Sequence, residues 1–93
     1  MVVVISLGIT WIGEASSEEP PLSQIVFYVH WYDVGKSALE GLNGVKRIIN
    51  GWQNFKEINT VYYDPAAVTI GEMEAALKKA NTYQGTAGVA EDK

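Results

Sequence analysis

A chain of 93 residues without one cysteine has to hold itself together by packing alone. Disulfides, a thiolate nucleophile and thiolate metal ligation are all excluded by composition. The length allows one small domain. An apolar fraction of 47% supplies a single modest core. The formal net charge of -4 and the absence of a basic stripe exclude nucleic-acid binding through phosphates. Lys46 with Arg47, and Lys78 with Lys79, are isolated basic pairs.

The clearest local signal is a helix opening at Thr69. Thr69-Ile70-Gly71-Glu72 fits a capping box, and Ile70, Met73, Leu77 and Ala80 would form the apolar face. Glu72 and Glu74 stand early, and Lys78 and Lys79 late, as the helix dipole favours. Asn81 would end the helix, because asparagine tolerates the left-handed conformation. Upstream, the β-branched and aromatic run Ile25 to Trp31 predicts a strand. Asp33 is a candidate cap for a short helix with Val34, Ala38, Leu39 and Leu42 inward, stopped at Asn43-Gly44. Val45 to Ile49 and Glu57 to Tyr63 predict two more strands. The turn between them falls at Asn50-Gly51 or around Gln53-Asn54. Thr82 to Val89 would be a weak last strand. The order is β-α-β-β-α-β: an α+β, ferredoxin-like arrangement of a four-stranded antiparallel sheet with two helices on one face.

The first residues differ in kind. Val2 to Ile12 is an apolar run, too short for a bilayer span, followed by Gly13-Glu14-Ala15 with small residues at the positions signal peptidase reads. Residues 1–15 are expected to be a signal peptide with an atypical n-region, which implies a periplasmic or secreted location. Residues 16–23 would be a polar, proline-containing linker, 24–89 the folded domain and 90–93 a loose tail. No membrane span is expected in the mature chain.

Several segments together resemble heavy-metal-associated domains: Gly44-Val45 after the first helix, Val61-Tyr62-Tyr63-Asp64-Pro65 closing the third strand, and Val68-Thr69 leading to Lys79-Ala80-Asn81-Thr82-Tyr83. The resemblance covers Ile25 to Tyr83 and implies the same ferredoxin-like fold. It also implies metal handling or transport through a Cys-x-x-Cys pair in the loop after the first strand. Those cysteines would fall at Tyr28 and Trp31, so the thiol site is lost. Soft ions such as Cu(I) select thiolates, and thiol-to-thiol transfer has no chemistry to run on here. Peptide methionine sulfoxide reductases share some of this spacing, but their catalytic cysteine would fall at Trp31.

What remains in the loop is His30, the only histidine, with Asp33, Tyr28 and Tyr32 as further oxygen donors. These could sketch a borderline N/O site for Zn(II), Cu(II) or Ni(II), although one histidine and one carboxylate fall short of the usual ligand count. The bland alternative leaves His30 as a strand residue and Asp33 as a cap. Gly35-Lys36-Ser37 lacks the rest of a phosphate loop. No hydrolase motif is present, and the chain is expected not to be an enzyme. A different class of function rests on the aromatic residues. Tyr62, with Ile49 and Trp52, would lie on the sheet face away from the helices and serve a partner or a homodimer. The partner could be a protein of a metal system. The alternative is that these rings only close a small core.

Overall fold

The computed structural model describes residues 21–88, so the expectations for 1–15, for most of the 16–23 linker and for the 90–93 tail lie outside the described residues. Within them the chain forms β1 (Ser23–Val29), α1 (Tyr32–Glu40), β2 (Val45–Gln53), β3 (Lys56–Tyr63), α2 (Ile70–Lys79) and β4 (Tyr83–Gly88). The sheet order is β2-β3-β1-β4, antiparallel throughout. This is the ferredoxin-like β-α-β-β-α-β fold. None of the described helices is long and apolar enough to cross a membrane.

Strand alternation divides the residues between two faces. Ile25, Phe27 and Val29 of β1 and Val61 and Tyr63 of β3 point toward the helices and join Leu39, Val68, Met73 and Leu77 in one core. At about 25 cal/mol per Å² of apolar area removed from water, these side chains are the main source of stability. α1 packs over β2 and β3, and α2 over β4. The other face carries Gln24, Val26 and Tyr28 opposite Tyr62, Thr60 and Ile58, with Arg47, Ile49 and Gly51 beyond them. That face is not bare: Val26 and Ile58 are buried there.

α2 forms as its sequence dictates. The Thr69 hydroxyl accepts from the Glu72 amide at 3.0 Å, and the Glu72 carboxylate accepts from the Thr69 amide at 2.8 Å. Met73 and Leu77 are buried, Ala76 is partly so, and Ile70 is left exposed. Asn81 follows the helix at φ 64°, in the left-handed region.

α1 departs from expectation in two ways. Its N-cap position is Trp31, whose side chain makes no cap bond, and Asp33 sits inside the first turn. The missing acceptor comes from β3, where a Glu57 carboxylate oxygen accepts from the Tyr32 amide at 2.7 Å. Of the expected inward residues, Leu39 is buried and Ala38 and Leu42 pack against the core, but Val34 does not join them. Gly35 and Leu39 face the sheet, and Val34 is exposed. A side chain at position 35 would begin where the Oδ1 atom of Asn59 lies, with Asn59 Cγ at 3.1 Å and Val29 Cγ1 at 3.2 Å. A glycine inside a helix costs about 1 kcal/mol relative to alanine. Here it gives room for the helix to approach the sheet.

Of the two turn positions expected from the sequence, the one around Gln53-Asn54 holds and Asn50-Gly51 does not. Asn50-Gly51 stays in β2, and the chain turns at Asn54-Phe55, with φ of 54° and 64°. Two left-handed residues are what a two-residue type I′ turn requires.

Candidate functional site

The loop after β1, the start of α1 and the β2–β3 hairpin all lie at one end of the sheet. The sequence places Tyr28, His30, Trp31, Tyr32, Trp52 and Phe55 there. The loop is fixed by Thr82, a buried residue. Its hydroxyl accepts from the Trp31 amide at 3.0 Å and donates to the Trp31 carbonyl at 3.3 Å, and its carbonyl accepts from the His30 amide at 2.8 Å. With the backbone held, the Trp31 ring stands edge-on to the His30 imidazole at 3.9 Å between centroids and remains 54% exposed. Trp52 packs edge-on to Tyr32 at 6.2 Å and is 62% exposed. Phe55, at the hairpin tip, is 100% exposed.

Beneath the rings is a polar layer. Asn59 is fully buried, and its Nδ2 donates to the Tyr32 carbonyl at 3.1 Å and to Asn50 Oδ1 at 2.9 Å. Its own Oδ1 takes no hydrogen bond and lies against Gly35. Asn50 reaches on to an Asp33 carboxylate oxygen at 3.4 Å. This layer locks α1 to β2 and β3. Each member already has a partner at the strand or helix that carries it, and the unpaired oxygen is closed in by backbone.

The four candidate metal ligands are not gathered. His30 Nδ1 pairs with the Gln84 amide of β4 at 3.2 Å, while Asp33 leans toward Asn50 of β2. β4 and β2 are opposite edges of the sheet. The Tyr28 hydroxyl accepts from Gln53 at 3.0 Å and Asn54 at 2.9 Å on the face away from the helices. Tyr32 lies on the helix side. Among the described residues, no three His, Cys, Asp or Glu side chains converge.

Of the residues expected on the face away from the helices, Tyr62 and Ile49 are there, Tyr62 beneath the Arg47 guanidinium at 5.6 Å. Trp52 is not. It pairs with Glu57 in the register and so falls on the helix side, beside the start of α1. A position one residue along a strand is on the other face, and the longer β2 set that parity. Phe55 was missed by sequence reading. Its only signal was an aromatic residue beside Asn54, where a turn would favour glycine.

Comparison with protein-family models, curated proteins and solved structures finds no match. The likeness to heavy-metal-associated domains therefore rests on the residues quoted for it.

Proposed function

We infer that this domain is a non-catalytic binding module that associates with a second copy of itself through the aromatic end. The observation that carries this is Phe55, fully exposed at a φ of 64°. A bulky L-residue in the left-handed region costs about 1–2 kcal/mol. A phenylalanine in water also forgoes the benefit of burial. Both costs are offset when the ring is covered in a complex. Trp31 and Trp52 are further exposed rings at the same end of the sheet, and exposed aromatic rings of this kind are typical contact anchors. A patch of such rings is complementary to itself, as a two-fold contact requires.

Replacing Phe55 by glycine separates stability from association. Phe55→Gly should raise unfolding stability by about 1 kcal/mol, since the turn strain is relieved. It should also abolish self-association. Sedimentation velocity up to about 1 mM covers contacts as weak as about 4 kcal/mol. A wild-type sedimentation coefficient that stays flat over that range would sink the reading. So would an unchanged rise in the variant.

The metal-handling role implied by the resemblance is the second proposal, and its one support is the exposed imidazole in the matching loop. Titration with Zn(II), Ni(II), Cu(II) or Cu(I) should then shift amide signals from Tyr28 to Val34, and His30→Ala should remove the response. Silence of those signals at stoichiometric metal removes the role.

A further inference from the structure

We propose that the outer edge of β2 receives an acidic, extended peptide as an added antiparallel strand. This is separate from the aromatic end. Among the described residues, nothing pairs with that edge, since β2 is the outermost strand on its side. The opposite edge is a poor template: β4 has six residues, two register irregularities against β1, and glycines at 85 and 88 with positive φ. β2 has nine residues, and after a single irregularity at Lys46 its pairing runs unbroken for seven positions from Arg47 to Gln53. A strand regular on its inner edge presents a regular row of amides and carbonyls on its outer one.

The sign of the partner follows from the charges. Where β2 begins, a cleft of about 260 Å³ lies between it and α1, lined by Lys36, Glu40, Val45, Lys46, Arg47 and Ile48. Three cations face one carboxylate. Basic residues at a sheet edge commonly guard against pairing of like with like. The same charges attract a strand of opposite sign and set its direction. In antiparallel pairing, the C-terminal residues of the guest lie against the beginning of β2. Two consecutive acidic residues there would point to opposite faces, one toward Arg47 and one toward Lys36 of α1, with Lys46 at the irregularity between them. Further along, exposed Ile49 would take an apolar residue on the face away from the helices.

The test is an amide NMR titration of the full isotope-labelled chain with the acetylated, amidated heptapeptide Val-Thr-Val-Thr-Val-Glu-Glu. The Phe55→Gly chain is titrated in parallel, so that loss of self-association and loss of peptide binding read out separately. The expected result is saturable shifts confined to Val45 to Gln53 and their β3 partners. Exchange of the β2 amides should slow. The double variant Lys46→Glu, Arg47→Glu lies on exposed positions and should keep the fold. It should weaken binding about tenfold, as two lost surface charge pairs imply. A Lys-Lys version of the peptide should bind at least as weakly. The proposal is overturned if no β2 amide shifts at about 1 mM peptide, a limit set by the weakest specific contacts. Equal binding of the Lys-Lys peptide, or shifts centred on Tyr83 to Gly88, would overturn it as well.

Discussion

Gly35→Ala should lower the unfolding free energy of this domain by about 3 kcal/mol, at the upper end of what an overpacked core position costs. One methyl group has this effect because its place is taken. The new Cβ would overlap Asn59 Oδ1 and crowd Val29 at 3.2 Å. Asn59 cannot swing aside freely, because its Nδ2 is held by the Tyr32 carbonyl and by Asn50. Nor can α1 simply lift, since Leu39 is anchored in the core on the same side. For a domain of this size, each kcal/mol lowers the melting midpoint by about 4–8 °C, so thermal unfolding would register a fall of well over ten degrees. The cause is checked by a double-mutant cycle. In an Asn59→Ala background, the Gly35→Ala step should cost little or even stabilise, because alanine is the better helix former once the space is free. If Gly35→Ala costs less than about 1 kcal/mol in the native background, the close approach of helix and sheet is not what glycine serves.

Gly44→Ala should be nearly as damaging, for a different reason. Gly44 has a φ of 102°, beyond even the left-handed helical well, and a Cβ there would lie 2.8 Å from Ala67 Cβ and 2.9 Å from Val68 Cγ1. Backbone strain of about 1–2 kcal/mol adds to an overpacking term of similar size. The loop from Asp64 to Val68 cannot retreat, because the Asp64 amide donates to the Gly44 carbonyl at 2.8 Å and Val68 is buried. We expect a loss of about 3 kcal/mol in denaturant unfolding, with little change in the slope. Gly41→Ala is the control. Gly41 has an ordinary φ of -84° and nothing within 4 Å of its missing Cβ, so alanine there should be neutral or stabilising by up to about 1 kcal/mol. Equal losses at Gly41 and Gly44 would mean that loop glycines matter only for general flexibility.

How far the sequence spoke depended on how local each cause was. The Thr69 capping box, the left-handed Asn81 and the order of elements follow from neighbours within four residues or from simple periodicity, and they were legible. The start of α1 was not. Its acceptor is Glu57, 25 residues away, and the spacing of Asp33 carries no trace of that bond. Asn50-Gly51 looked like a turn because its composition suits one. In the fold, Asn50 continues β2 and meets buried Asn59 across the hairpin, so a cross-strand hydrogen bond overrode a local preference. That continuation left the turn to the other expected position, at Asn54-Phe55, and put Trp52 on the helix side. Gly35 was visible as part of Gly-Lys-Ser, but its purpose depends on a residue two strands later in the chain. The candidate metal residues are adjacent in sequence and divergent in space, because one serves the β4 side and another the β2 side.

The place of β1 in the sheet also governs the order in which the domain can be completed. β1 is an inner strand, paired with β3 on one side and with β4 on the other, yet among the described elements it is made first and β4 last. During synthesis, β1, β2 and β3 can meet as soon as Tyr63 has emerged. The second edge of β1, with apolar Val26, Phe27 and Val29, then waits for Tyr83 to Gly88. For that interval the nascent chain exposes a hydrophobic strand edge of the kind that recruits foreign strands. Closing it requires bringing together segments more than fifty residues apart, a slow step on entropic grounds. The pairing of the short, irregular β4 with β1 is thus the step expected to limit folding and to leave the chain open to misassembly.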